Sequence, residues 1–278
     1  MAKLTWLPKK TFELEFEVDW SEVKKTYDHV LTHFVDEVKL KGFRKGKAPK
    51  DLVEKSVDKA DVYGEVINHL LPKTYAEAVA EHKLSPAIAP KITIVEAQEN
   101  KPWKFKATSC ELPEIKLGDF QKAVSGALAK DKIVVPGKPE LTETQKLNLI
   151  SQALLDTVSL DLPDLMIQSE TDRLLSRLLD QIQKLGLTID QYASSNQKTV
   201  DQLKAEYRLA AVNSLKLELI LAAIGEEKKF VAREAEIDKM IAAAGDEKLK
   251  KQLNTPGERA YIASVLRKRQ VIDYLLAL

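Results

Sequence analysis

Between Lys39 and Lys50 the chain carries six basic side chains and no acidic one, and a single aromatic stands among them: Gly42-Phe43-Arg44-Lys45-Gly46-Lys47-Ala48-Pro49. A ring surrounded by cations is suited to docking on a partner rather than to making or breaking bonds. Gly42 and Gly46 permit positive φ and tight turning, while Pro49 suits the first turn of a following helix, so Phe43, Arg44 and Lys45 are expected at a loop tip. The plainer alternative is a basic helix-to-helix turn with Phe43 folded back into the core.

Other arrangements that could do chemistry fall short of what the chemistry needs. A phosphate-cradling loop requires four residues between its glycines and Ser or Thr after its lysine; here three residues separate Gly42 from Gly46, and Ala48 follows Lys47. His29 and His33 stand four apart and could share a metal, but Val30-Leu31-Thr32 between them lacks the glutamate of a zinc-protease motif, and the pair reads as the solvated flank of a helix. His69 and His82 are isolated in sequence, and no Gly-x-Ser-x-Gly or comparable nucleophile setting occurs. The acidic pairs Glu226-Glu227 and Asp246-Glu247 fall in turns and read as caps or solvated charges. No catalytic residue, metal or cofactor is expected.

The loop must be held by something, and the chain has room for two domains with cores of their own in its 278 residues. Its 43 basic side chains are balanced by 42 acidic ones, so no overall bias toward polyanions exists and the basic cluster matters through its location. One cysteine, Cys110, excludes an internal disulfide and a thiolate metal cluster within one chain; it is expected as an inert small hydrophobe at a strand end. No apolar run approaches the roughly 18 residues of a membrane span, and the start Met1-Ala2-Lys3-Leu4-Thr5-Trp6 has no leader pattern, so the expectation is a cytoplasmic protein without a membrane partner.

Residues 1–112 read as an α+β domain, a small sheet on helices. From Thr11 to Val18 the chain alternates, Phe12, Leu14, Phe16 and Val18 against Thr11, Glu13, Glu15 and Glu17, the period of a half-buried strand. Asp19 with Glu22 resembles a capping box, and Val23, Tyr27, Val30, Leu31, Phe34 and Val38 recur at helical spacing up to the basic loop. Beyond it a short helix is predicted over Pro49 to Val57, then a longer one from Asp61 to Glu81 interrupted at Pro72. Strands are predicted at Ile92 to Val95 and Trp103 to Cys110.

Residues 113–140 hold Pro113, Gly118, Gly126, Pro136, Gly137 and Pro139, a density of breakers that marks a connector. Residues 141–278 read as helical. Thr142 with Gln145, Thr199 with Gln202, and Thr255 with Glu258 behind Pro256 have the capping-box pattern. Apolar spacing agrees: Leu147, Ile150, Leu154 and Val158; Ile167, Leu174, Leu178, Ile182 and Leu185, ending at Gly186; Leu203, Tyr207, Ala211, Leu215 and Leu219, ending near Gly225. A shorter helix follows over Glu234 to Ala244, and a last one starts at Pro256.

The string GFRKGKAP, followed by an amphipathic helix and then Leu84-Ser85-Pro86-Ala87-Ile88-Ala89-Pro90, resembles the N-terminal ribosome-binding domain of trigger factor, a bacterial chaperone family. The helical half resembles the C-terminal domain of that family in Leu162-Pro163 before a long helix, Gly186-Leu187-Thr188-Ile189-Asp190-Gln191-Tyr192, Glu236-Ile237-Asp238, and Gln270-Val271-Ile272-Asp273-Tyr274-Leu275-Leu276. The resemblance implies an ATP-independent chaperone. Its docking residues would be Gly42, Phe43, Arg44, Lys45, Gly46, Lys47 and Pro49, set against a protein of the large ribosomal subunit and nearby rRNA at the exit tunnel. Nascent or unfolded polypeptide would be held by residues 141–278, and a homodimer off the ribosome is compatible with the family. Trigger factors commonly carry an FKBP-like prolyl-isomerase domain of about a hundred residues between the two regions, and residues 113–140 are too few for it. The alternatives left open are an RNA-binding or ribosome-assembly adaptor using the same loop, and a peptidyl-prolyl isomerase if the family activity is retained.

Overall fold

The structure, a computed structural model, describes residues 2–38, 40, 43–129 and 141–278. The chain divides into two units, Met1–Leu112 and Pro113–Leu278. The expected fold class holds for both: a small sheet with helices in the first, helices in the second.

The first unit runs β1 (Lys3–Leu7), β2 (Thr11–Val18), α1 (Trp20–Glu37), α2 (Lys50–Ser56), α3 (Lys59–Glu81), β3 (Lys91–Glu96) and β4 (Trp103–Cys110), with an antiparallel sheet in the order β1-β2-β4-β3. The alternation in β2 does what its period requires. Phe12, Leu14, Phe16 and Val18 are buried with Trp103, Phe105 and Ala107 of β4 against α1 and α3, and the Phe16 and Phe105 rings stack at 5.8 Å between centroids. The opposite face is a ladder of charge: Lys106 Nζ lies 3.2 Å from both Glu13 and Glu15, and Lys104 3.4 Å from Glu96 and 3.8 Å from Glu17. Exposed pairs of this kind add little stability each, but they keep the sheet's outer face wet. The ladder of β3 on β4 shifts register between Ile94 and Glu96, a bulge that throws Val95 outward.

Strand β1 was not foreseen. Its hairpin turns through Lys9 and Lys10, both at φ +56°, with Thr11 N–H donating to the Pro8 carbonyl at 3.3 Å. Two successive positive φ values at the centre of a hairpin turn normally announce themselves as Asn-Gly or Asp-Gly, and Lys-Lys hides the signal. Three further details differ from expectation. Asp19 stands at the N-cap of α1 without a side-chain capping bond, and the Glu22 carboxylate turns toward Lys73 at 3.9 Å instead. Helix α3 continues through Pro72, whose ring is exposed while Val62, Val66, Leu70 and Ala78 stay docked on the core. The missing N–H therefore costs one bond on the wet side without dividing the helix. Pro49 is the N-cap of α2 rather than its first helical residue.

Two tyrosines between the helices set an alkaline limit on this unit. Tyr27 Oη donates to Glu54 Oε1 and Tyr63 Oη to Glu99 Oε1, each at 2.9 Å, with the rings 5.2 Å apart. Desolvation, then the bond to Glu54, pushes the Tyr27 hydroxyl up to about 12, and the same causes, with Glu99 in place of Glu54, raise Tyr63 further. The folded chain holds these protons where the unfolded chain, at the ordinary value of 10.0, releases them. Their contribution is complete below pH 10 and is lost as pH rises through 12, so denaturant midpoints are expected to fall over that window, and Tyr27→Phe to flatten the fall.

The second unit contains α4 (Phe120–Ala129), α5 (Glu143–Thr157), α6 (Asp164–Lys184), α7 (Ile189–Ser195), α8 (Val200–Glu227), α9 (Glu234–Ala242), α10 (Glu247–Leu253) and α11 (Pro256–Leu276). Capping boxes open α5 and α8 as their sequences indicate, Thr142 N–H donating to Gln145 Oε1 at 2.9 Å and Thr199 N–H to Gln202 Oε1 at 2.9 Å. Another, Thr188 with Gln191, opens the unforeseen α7. At Thr255 only one half forms, the Glu258 N–H donating to the threonine hydroxyl.

Helix α4 lies inside the stretch read as a connector. Phe120, Val124 and Leu128, four apart, are buried among Ile150, Leu154, Ile220, Ile224, Val271 and Leu275 from α5, α8 and α11, and the Gln121 amide donates to the Tyr274 hydroxyl. One apolar stripe outweighs Gly126, whose position meets no other atom within 4 Å. Of the other breakers, Pro136, Gly137 and Pro139 lie outside the described residues. Helix α8 ends at Glu227, near Gly225 as expected, although the glycine itself is still helical. A Cβ at that position would come within 3.3 Å of Val271 Cγ2 and Arg267 Cδ, so the glycine serves close approach of α8 and α11 rather than termination.

Candidate functional site

The end of α1, the basic loop and α2 form a small apolar nucleus of their own. Leu31, Ala48 and Val53 are buried together, with Tyr27, Phe34, Val35, Leu40 and Val57 packed around them. The Tyr27–Glu54 hydrogen bond ties α1 to α2 beside this nucleus, and Val38 N–H closes α1 on the Phe34 carbonyl at 2.9 Å. Leu52 and Val53 N–H groups donate to the Pro49 carbonyl at 3.1 and 3.2 Å, so α2 begins as soon as the loop ends.

On this base the loop turns twice. Phe43 N–H donates to Leu40 O at 3.1 Å and Lys47 N–H to Arg44 O at 3.0 Å, while Gly46 takes φ +78°. A side chain at Gly46 would be strained at that φ and would face Asp36 Oδ1 at 3.5 Å. Phe43 is 42% exposed, and Arg44, Lys45, Lys47 and Pro49 are exposed as well; among the described residues of the loop Ala48 is the buried one. Phe43 therefore is not folded back into the core. Among the described residues Arg44, Lys45 and Lys47 enter no ion pair, which leaves the cations at the tip open to an external anion. Gly42, the remaining residue expected in the site, lies outside the described residues, as do Lys39 and Lys41.

The other reactive side chains stand apart from this loop. Cys110 is buried, and desolvation pushes its thiol up to about 11, so no thiolate is on offer at neutral pH. His82 Nε2 lies 2.9 Å from the Ala2 carbonyl oxygen. His29 and His33 are neighbours on α1, and His69, isolated in sequence, is brought to 6.3 Å from His29 between ring centres. Among the described residues no three His, Cys, Asp or Glu side chains are placed to hold a metal ion.

The helical unit offers surface of a different kind, which periodicity alone did not reveal. Leu185, assigned to the apolar stripe of α6, is 72% exposed at the turn into α7, and Leu179 and Leu187 are exposed as well. Leu209 on α8, Val231 before α9 and Tyr261 on α11 are also exposed. Between α4 and α5 an open groove of about 730 Å³ is lined by Ala123, Ala127, Leu149 and Ala153, with Lys122 and Asp156 on its polar part. Among the described residues no helix is long and apolar enough to cross a membrane.

A family profile described as "Bacterial trigger factor protein (TF)" matches residues 2–135, and one described as "Bacterial trigger factor protein (TF) C-terminus" matches residues 137–277, leaving one residue between them. The trigger factor of Moorella thermoacetica is 39% identical over 119 residues, which is 43% of this chain and 27% of that protein. That of Pelotomaculum thermopropionicum is 35% identical over 116 residues, 42% of this chain and 26% of its own length. That of Carboxydothermus hydrogenoformans is 38% identical over 114 residues, 41% and 27% respectively. The matched region thus spans about a quarter of each curated relative. A solved structure from work on promiscuous substrate recognition in folding and assembly activities of the trigger factor chaperone superposes with a TM-score of 0.61 at 12% identity, over 100% of this chain and 99% of that one. That likeness is one of fold.

Proposed function

The chain belongs to the trigger factor family, and from that premise we propose that it is a cytoplasmic chaperone that needs no ATP, docks at the ribosomal exit tunnel through its Phe-Arg-Lys loop and holds nascent or unfolded polypeptide on its helical unit. The observation that carries this reading is the loop itself: an exposed aromatic and cations that form no ion pair among the described residues, raised on a nucleus built from other side chains. Gly42, Gly46, Lys47 and Pro49 would shape the loop, while Phe43, Arg44 and Lys45 would touch a protein of the large subunit and adjacent rRNA. Phosphate and carboxylate suit the guanidinium and ammonium groups, and the ring supplies an apolar anchor.

Holding without nucleotide follows from the scattered exposed apolar side chains. Each contact with an unfolded segment is worth about 25 cal/mol per Å² buried, so several shallow contacts bind reversibly, and the client leaves as it buries that area in itself. Proline isomerisation is not part of the proposal. Its barrier of about 18 to 20 kcal/mol yields to an enclosed pocket that grips the twisted amide, whereas an open surface holds cis and trans forms alike. That the two family matches nearly abut supports this view.

Cosedimentation with translating ribosomes, set beside binding to free RNA, is the test. The proposal expects retention on ribosomes at physiological salt and weak, salt-steep binding to free RNA. Equal affinity for both would favour an RNA-binding adaptor and overturn the docking assignment. A proline-limited refolding assay with the same preparation is expected to run at the uncatalysed rate.

A further inference from the structure

We propose that the cleft between α8 and α11 in the second unit is a binding site for a carboxylate group. It measures about 140 Å³ and is lined by Glu218, Leu221 and Ala222 of α8 with Ser264, Arg267 and Lys268 of α11. Gly225 lets the two helices close until the Arg267 stem lies on α8, its Cδ 3.3 Å and its Cγ 3.4 Å from where a Cβ at Gly225 would stand. The side chain is thereby held along its aliphatic part, and its Nε is buried without a hydrogen-bond partner. Among the described residues neither Arg267 nor Lys268 enters an ion pair. Arginine keeps its charge at every working pH, so a guanidinium enclosed in this way is costly until a counter-charge reaches it.

Chemistry selects the ligand. A carboxylate offers two oxygens that match the arginine fork, and the apolar walls of Leu221 and Ala222 strengthen charge pairing. Glu218 brings an opposing negative charge to the lining. Its charge also bears on Arg173 of α6, which Glu170 first and Glu218 more weakly hold above the usual arginine range. Two cations thus stand against one carboxylate that is partly engaged elsewhere. A cleft of this size takes the end of a side chain or a free short-chain carboxylate. The polypeptide source rests on the holding role proposed above, where an acidic side chain seated here would add a charge-paired contact to the shallow apolar ones; the free source does not.

The test follows the Arg267 Nε–Hε resonance and the backbone amide signals of Ala222 and Ser264 in the full chain while probes are added. These are an acetyl-Ala-Glu-Ala-amide peptide, its glutamine counterpart, sodium acetate, and sodium chloride at matched ionic strength. The glutamate peptide and acetate are expected to shift the signals saturably, the other two not. Tighter binding of the peptide than of acetate would assign the site to polypeptide, and equal affinity to a free carboxylate. Hydrogen bonds to charged groups are the strong ones, so Arg267→Gln is expected to weaken binding at least about ten-fold. Since Arg267 also packs on Gly225, Ala222→Leu is the second variant: it fills the cleft without changing charge, and is expected to block binding while the circular dichroism melt stays as in the wild type. No saturable shift with either carboxylate, an equal shift with the glutamine peptide, or undiminished binding to Ala222→Leu overturns the site. An equal response to chloride would mark an adventitious ion only and overturns it too. Light scattering on client dilution separates the cleft from the holding role: failed carboxylate binding with client protection intact concerns the cleft alone, whereas a wild type that binds acetate but protects no client strikes the holding role and leaves the cleft standing.

Discussion

Replacing Phe43, Arg44 and Lys45 together by alanine is expected to abolish cosedimentation with ribosomes while leaving thermal unfolding where it was. The two effects separate because the tip and its support are different sets of residues. Leu31, Ala48 and Val53 are buried beneath the loop, whereas the three substituted side chains are exposed and contribute little to that nucleus. Surface substitutions away from such features usually stay within about 0.5 kcal/mol of stability. Interface anchors, by contrast, commonly cost about 2 to 4 kcal/mol each when truncated, and arginine and aromatic anchors dominate. Even partial additivity would move a modest affinity beyond detection. Equal ribosome-bound fractions for the wild type and the triple variant at physiological salt would show that the loop is not the anchor.

Two fragments of the helical region are expected to behave very differently. A chain from Pro113 to Leu278 should unfold cooperatively and suppress aggregation of a denatured client without nucleotide; one from Leu141 to Leu278 should not fold stably. The difference is α4. Without it, Phe120, Val124 and Leu128 no longer cover Ile150, Leu154, Ile220, Ile224, Val271 and Leu275. At about 1.5–3 kcal/mol for each large apolar side chain, the loss is comparable with the 5–15 kcal/mol that usually separates folded from unfolded domains. Circular dichroism melts and light scattering on client dilution would measure both properties. A well-folded, protective fragment starting at Leu141 would mean that α4 is an ornament rather than a member of the core, and protection that required ATP would contradict the holding role.

Strong periodicity was legible wherever one face of an element is buried. Strand β2 was readable to the residue because Phe12, Leu14, Phe16 and Val18 all face the core, and α5 and α8 began where Thr142 and Thr199 could close a capping box. What escaped had contrary local signals. Lysines occupy a turn that usually shows glycine, Gly126 sits in a real helix, and Pro72 sits on an exposed face where its missing donor does not break α3. The candidate loop was visible as composition, but exposure of Phe43 was not, since a basic turn with the ring folded inward has the same letters. The His29–His69 approach depends on how α1 and α3 pack, and no spacing along the chain encodes it. Leu185 illustrates the same limit on the helical side: a stripe gives the phase of a residue, not whether a neighbouring helix reaches far enough to cover it.

The bulge at Val95 bears on the protein's own safety. A protein whose proposed work brings it extended chains has, among the described residues, unpaired strands at both margins of its sheet, β1 and β3, and each is a template on which a passing segment could lay itself down as an extra strand. Misregister between Ile94 and Glu96 twists the β3 margin out of phase, so an added chain cannot run along it in unbroken pairing. The charged ladder across the outer face then opposes stacking of one sheet on another. Contact with unfolded polypeptide is thereby steered toward side chains on helices, where adhesion is shallow and reversible, and away from a backbone seam that would seed fibrils.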